Sequence, residues 1–222
     1  MDYNKIIKNV QVYGFEESVR RAKFPMAATT DDLTTDITKG ITALAQSPKG
    51  AGEDNFLKGI IVQFDLTFTI KAWTEAERYA WFDIVSSQST MHRITKFNLD
   101  RSYIEYVDPR IISIMREKIE AYNDVEDALK NHASGFAESE IKEMIEDNKQ
   151  RYLEILYSNP CGIKLTAGMT TNYRQLKTIY AQRRTHRLPE WQALCDWIET
   201  LPHSEFIIGN IKKSKKETQK NA

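Results

Sequence analysis

Residues 59–70, GIIVQFDLTFTI, constrain the fold more than any other part of the sequence. β-branched and aromatic residues dominate this segment, and its apolar side chains alternate with their neighbours, which is the period of a strand. The alternation places one apolar row on a single face, formed by Val62, Phe64, Leu66, Phe68 and Ile70. We therefore predict a central strand here, and a shorter strand at residues 9–13 that ends at a glycine turn.

Most of the remaining chain is predicted to be helical. Acidic residues in the first turn and basic residues in the last turn mark residues 15–24 as a helix, and Asp108 followed by Pro109 marks the start of another. Helical spacing predicts core positions for the four tryptophans, Trp73, Trp81, Trp191 and Trp197. The predicted helices are residues 15–24, 36–45, 71–88, 108–131, 138–157, 171–186 and 188–201, with a loop at residues 47–54 and a short segment at residues 162–167.

The composition argues against several classes of protein. Lys and Arg number 31 and Asp and Glu number 31, and this zero net charge is unlike the basic excess of proteins that bind bulk nucleic acid or membrane surfaces. Cys161 and Cys195 cannot form a disulfide framework, and no Cys/His spacing has the form of a zinc site. The sequence has neither a signal-peptide core nor a transmembrane run. We expect a cytoplasmic protein of one domain, residues 1–211, with a basic and disordered tail, residues 212–222.

Two basic clusters on different elements are candidate anion sites. In the predicted helix 171–186, Asn172 and Arg183 share one face because they are about three turns apart. A guanidinium can bind phosphate or a uracil carbonyl, and an amide can bind a base edge. The alternative is an ordinary helix end whose cations complement the helix dipole. His92 and Arg93, at the element boundary just after the predicted helix 71–88, provide a second basic pair.

The stretch around His92 resembles the signature of the flavin-dependent thymidylate synthases. That signature reads Gln-x-x-Arg-His-Arg, followed by an aromatic-Asn step and then by acidic and serine positions. Met91 stands where the family has its first arginine, and one residue is inserted before the serine. The matching residues are Gln88, His92, Arg93, Phe97, Asn98, Asp100 and Ser102.

The resemblance continues in the same order along the chain. Residues 19–26 resemble the first helix of the family, and residues 52–64 resemble its Gly-His segment with the strand that follows. Asn172 and Arg174 match an Asn-x-Arg element, and Arg183 falls on the arginine that binds uracil. The sequence departs from the family at Pro25, Glu53, Leu57 and Met91.

This resemblance implies an α+β fold with a central, mostly antiparallel sheet flanked by helices and a helical insertion in the second half. It implies a homotetramer that binds FAD and deoxyuridine monophosphate, and that transfers a one-carbon unit from methylene-tetrahydrofolate to uracil C5 while NADPH reduces the flavin. No metal and no protein nucleophile are implied, so Cys161 is not expected to act as one. Carried over residue by residue, the catalytic residues are Arg183 and Ser102, the nucleotide is bound by Gln88, Asp100, Ser102 and Arg183, and the flavin, or the bridge between the two ligands, by His92, Arg93, Asn172 and Arg174.

Two other functions stay open at this stage. The alternative to the synthase-like function, suggested by the departures from the family, is a diverged homologue that sequesters or modifies another pyrimidine nucleotide without the family's turnover. A nucleic-acid accessory protein could use the basic residues 183–187 and the basic tail, although the zero net charge argues against it. The yellow colour of bound FAD distinguishes the synthase-like enzyme from a flavin-free nucleotide binder. A steep salt dependence of DNA binding would identify the nucleic-acid accessory protein.

Overall fold

A computed structural model describes residues 1–48 and 50–209 of the chain. Its contacts divide into two compact units. Among the described residues, unit 1 contains residues 1–68, 72–86 and 166–209, and unit 2 contains residues 69–71 and 87–165. The single domain to residue 211 stays a prediction, and the basic tail lies outside the described residues. Within the described residues, no helix is long and apolar enough to cross a membrane.

The secondary structure is mixed. Four strands, β1 (Ile7–Tyr13), β2 (Ile61–Thr69), β3 (Phe82–Ser87) and β4 (Lys164–Asn172), form one antiparallel sheet in the order β1-β2-β4-β3. The helices are α1 (Phe15–Arg21), α2 (Lys39–Ala45), α3 (Ile70–Ala76), α4 (Thr90–Arg93), α5 (Leu99–Ser102), α6 (Pro109–His132), α7 (Glu138–Ser158), α8 (Tyr173–Arg183) and α9 (Pro189–Ile198). Short 3₁₀ segments include Phe24–Met26 and Glu53–Gly59.

The predicted central strand is confirmed as β2, which lies between β1 and β4. Val62, Phe64, Leu66 and Phe68 on its apolar face are all buried. β1 pairs with β2 from Ile7 opposite Leu66 to Tyr13 opposite Ile61. The rings of Phe64 and Phe68 pack against tryptophans of α9, and burial of this apolar row stabilises the sheet.

Unit 2 has its own apolar core. α6 and α7 pack as an antiparallel pair, because Lys118 near the middle of α6 binds Glu154 near the end of α7 at 2.8 Å, while the amide of Asn148 donates to the carbonyl of Tyr122. The buried cluster consists of Ile94, Leu99, Tyr103, Met115, Ile119, Ile155 and Ile163. The helices predicted at residues 108–131 and 138–157 are therefore confirmed, with α6 ending at His132 and α7 at Ser158.

Two predicted helices were wrong in part. The segment 71–88 ends as a helix at Ala76 and returns as strand β3, because the backbone of Trp81 adopts a left-handed conformation (φ 65°) that reverses the chain. The segment 171–186 begins as a helix only at Tyr173, because residues 164–172 pair in the sheet as β4. Helical spacing within one segment does not reveal that pairing with neighbouring strands stabilises these residues more than a helix would.

Candidate functional site

Unit 1 contains a cavity of about 640 Å³, which is within the usual size of small-molecule and cofactor sites. Its wall is formed by the loop after α2, the 3₁₀ segment Glu53–Gly59, the start of β2, the residue before β3, and one face of α8. Residues far apart in sequence therefore meet here. The polar and aromatic side chains of the wall include Ser47, Asp54, Lys58, Trp81, Asn172, Arg174, Lys177 and Gln182.

Trp81 forms an exposed aromatic part of this wall. The predicted core position is wrong for this residue, which is 67% exposed, whereas Trp73, Trp191 and Trp197 are buried as expected. Its carbonyl accepts a 2.6 Å hydrogen bond from the hydroxyl of Thr171, which fixes the turn that places the ring at the surface. An exposed indole beside a cavity is suited to stacking on a planar ring.

Two amides at the cavity have their oxygens engaged elsewhere. Asn172 is the N-cap of α8, and its side-chain oxygen accepts from the backbone N–H of Gln175 at 2.9 Å. The side-chain oxygen of Gln182 accepts from the hydroxyl of Tyr79 at 2.8 Å. An amide carries one oxygen and one NH₂ group, and neither NH₂ group has a partner among the described residues, so both are donors for a ligand. Asn172 lies just before the helix rather than within it, which corrects the predicted shared face with Arg183.

A buried carboxylate organises the cations of the cavity. Asp54 is almost fully buried, and its two oxygens accept from Nε of Arg174 at 3.0 Å and from Nζ of Lys177 at 2.8 Å. Burial by itself would raise the pKa of Asp54, but the hydrogen bonds and charges of Lys177 and Arg174 outweigh it and hold this pKa below its usual range. Asp54 is therefore ionised at neutral pH.

The described wall of the cavity is positive and rich in donors. The described lining contains three cations, Lys58, Arg174 and Lys177, and one carboxylate, that of Asp54, which leaves a surplus of two positive charges. With the amide donors and the indole, this wall complements a ligand that combines a planar ring, carbonyl groups and phosphate.

The predicted uracil-binding residue, Arg183, lies in a separate cluster of unit 1. Its guanidinium donates to Glu75 and to the hydroxyl of Tyr79, both at 2.7 Å, and lies 4.8 Å from the centre of the Trp191 ring. Glu75 also accepts from Nε2 of His186 at 3.1 Å. The guanidinium charge is therefore balanced within the fold, and the role of Arg183 in binding a ligand stays a prediction.

The other predicted residues lie in unit 2, on the short helices α4 and α5 and just before them. Gln88, His92 and Arg93 are exposed. Asp100 accepts from Arg116 at 2.7 Å, and the hydroxyl of Ser102 donates to the carbonyl of Asn98 at 2.7 Å. Met91, at the position of the family's arginine, is 59% exposed.

Of the predicted site residues, Asn172 and Arg174 line the cavity of unit 1, Arg183 lies in the same unit, and the remaining five belong to unit 2. Sequence reasoning missed Asp54, Trp81, Lys177 and Gln182. The sequence did contain a signal for Lys177. It lies three residues after Arg174, and this spacing places both side chains on the same face of a helix.

Comparison with known proteins shows a likeness in fold. A crystal structure of the flavin-dependent thymidylate synthase ThyX from Helicobacter pylori, complexed with FAD and dUMP, matches 93% of this chain and 98% of its own, with a TM-score of 0.59 and 13% identity. A second crystal structure of ThyX from this organism, with FAD and dUMP, covers 90% of this chain and 93% of its own, with a TM-score of 0.52 and 14% identity. The predicted α+β fold, an antiparallel sheet flanked by helices, is thus confirmed. No protein-family model matches the chain, and no curated protein does.

Proposed function

We propose that this protein is a thymidylate synthase-like flavoenzyme that transfers a one-carbon unit to C5 of a deoxyuridine nucleotide. The observation that carries the proposal is the cavity of unit 1, in which an exposed indole, two oriented amides and a surplus of positive charge line one space. The similarity in fold to ThyX structures that hold FAD and dUMP supports the same assignment.

The residues of the cavity fit a flavin. Trp81 would stack on the ring system, and the NH₂ groups of Asn172 and Gln182 would donate to its carbonyl oxygens. Arg174 and Lys58 would compensate the phosphate charge. FAD, when bound, supplies the redox chemistry, and the chain supplies orientation and charge compensation.

The nucleotide is assigned to Gln88, Asp100, Ser102 and Arg183, with His92 and Arg93 at the flavin or between the ligands. Negative charge builds on the uracil ring as C5 becomes nucleophilic, and a guanidinium at a ring carbonyl stabilises that charge. Glu75 holds Arg183 in one orientation before the ligand arrives. Methylene-tetrahydrofolate as carbon donor, NADPH as reductant and a tetrameric assembly belong to the same proposal.

The test starts from the absorbance spectrum of the purified protein with and without added FAD, followed by calorimetric titration with deoxyuridine monophosphate. The proposal expects the bands of oxidised flavin, nucleotide binding that is lost in Arg183→Ala, and release of tritium from uracil C5 during turnover. A protein that shows no flavin absorbance after excess FAD has been added and the unbound FAD removed would contradict the proposal.

A second candidate, nucleotide binding without turnover, is favoured by one specific observation. Arg183 already has an anionic partner in Glu75, and Met91 supplies no charge where the family has an arginine. A protein with these features could bind a pyrimidine nucleotide by its remaining donors and yet lack the transition-state stabilisation that turnover needs. Binding of the nucleotide by a colourless protein, with no tritium release, would identify this function.

A further inference from the structure

Arg174 is held from one side only. Its Nε donates to the buried Oδ1 of Asp54 at 3.0 Å, and its side chain is 32% exposed at the cavity wall. Among the residues that the structure describes, its two terminal NH₂ groups have no hydrogen-bond partner. A guanidinium fixed through Nε therefore keeps a free pair of donors in a defined direction, which is the geometry that binds two oxygens of an anion.

Lys177 is engaged on all sides. An ammonium group has three protons, and Nζ of Lys177 donates to the carbonyls of Ala45 and Ser47 and to Oδ2 of Asp54, each at 2.8 Å. It has no donor left for a ligand. Its effect is to fix the loop after α2 to α8 and to balance the charge of Asp54, so that the charge of Arg174 is not cancelled within the fold.

We propose that Asp54 is a positioning residue that orients Arg174 as the anchor for the phosphate of the ligand in this cavity. The inference rests on the proposed function, because it takes the ligand to be a phosphorylated flavin. Asp54 itself touches no ligand. It acts through its hydrogen bond with Nε of Arg174, and the ammonium of Lys177 balances the negative charge of its carboxylate.

The direction in which Asp54→Asn changes ligand binding distinguishes an orienting role of Asp54 from an effect of its charge alone. Asp54→Asn removes a negative charge from a cavity that binds an anion, so an effect of charge alone would strengthen binding. If Asp54 acts by orienting Arg174, the same variant weakens binding, because the carboxamide that replaces the carboxylate offers one neutral acceptor to two cationic donors. A general loss of structure would weaken every ligand to the same extent.

The experiment compares FMN with riboflavin, which differ by one phosphate, through the quenching of flavin fluorescence. We expect Asp54→Asn to weaken FMN by roughly 10- to 100-fold and to leave riboflavin within about threefold. Arg174→Ala in the Asp54→Asn background should cause no further loss. The matched control is Asp196→Asn, which removes another carboxylate of unit 1 that pairs with an arginine, Arg184, but lies outside the cavity. Unchanged or stronger FMN binding, or equal losses for both flavins, would overturn the proposal.

Arg174→Lys keeps the test decisive if Asp54→Asn does not fold. This variant keeps the positive charge and the contact of Asp54 with Lys177, but it loses the forked pair of donors. We expect it to weaken FMN selectively, and full FMN affinity would refute the role of the oriented fork.

Inorganic pyrophosphate separates this inference from the proposed function. If the protein binds no flavin, stabilisation of the wild type by pyrophosphate in a thermal melt, and its loss in Arg174→Lys, would support the anion anchor while the flavin proposal fails. Flavin binding that is indifferent to both variants would leave the proposed function standing and remove the inference.

Discussion

Removal of the Asp54 carboxylate is the perturbation whose cost the structure defines best. Asp54→Ala leaves the ammonium of Lys177, which is only 16% exposed, with two carbonyls and no counter-ion, whereas Arg174 is exposed enough to turn toward water. Breaking a buried pair costs about 3–5 kcal/mol. Because one of the two cations can be rehydrated, we expect the lower end, about 3 kcal/mol. In a protein of this size that loss lowers Tm by roughly 6–12 °C.

Urea denaturation followed by circular dichroism measures this cost. Asp196→Ala is the control, because its pair with Arg184 is partly exposed and should contribute about 1 kcal/mol or less. Asp54→Ala combined with Lys177→Met should be less destabilised than the sum of the two single variants by about 1 kcal/mol or more, since the second change removes the uncompensated charge. A cost of Asp54→Ala no larger than that of the control, or strict additivity in the double variant, would refute the reasoning.

Three further predictions concern stability. The pKa of Asp54 is lowered by the fold, so the stabilisation it gives is complete above about pH 4 and is lost as pH falls through the folded pKa; acid titrations of urea stability should show a flatter acid limb in Asp54→Asn. Met115→Ala should cost about 2–5 kcal/mol in urea denaturation, because Met115 is fully buried in the core of unit 2, and a cost below about 1 kcal/mol would contradict that packing. Gly14→Ala should lower thermal stability by more than about 1 kcal/mol, since φ is +70° there and a Cβ would lie 2.5 Å from the carbonyl oxygen of Gly59; Gly50→Ala, with positive φ but open space, should cost less.

The fold could be predicted where one segment carried its own signal. The row from Val62 to Phe68 alternates without interruption, and this pattern occurs in strands whatever surrounds it. β3 could not be found in the same way, because Trp73, Ala76, Ala80 and Ile84 happen to fit helical spacing, and pairing with β4 decided the outcome. A short strand at a sheet edge depends on its neighbour more than on its own sequence.

The candidate site, like the fold, could be predicted only where a short local motif identified its residues. Asn172 and Arg174 were identified by resemblance to a short motif, and both line the cavity. Asp54 contacts Arg174 because the 3₁₀ segment Glu53–Gly59 packs against α8. A local sequence pattern does not predict a contact between segments so far apart in the sequence. The position of Trp81 follows from one left-handed residue in a turn, which spacing rules cannot detect.

The measurement that tests the account most directly is the absorbance spectrum of the purified protein titrated with FAD, beside that of Trp81→Ala. Trp81 is exposed, so its removal should leave the urea midpoint almost unchanged while it removes a stacking contact worth about 1–3 kcal/mol. The account predicts a yellow wild type with a saturable flavin spectrum and a folded variant whose affinity for FAD is at least about fivefold weaker. A wild type that never binds FAD, or a variant that binds it equally well, would contradict the assignment of this cavity to a flavin.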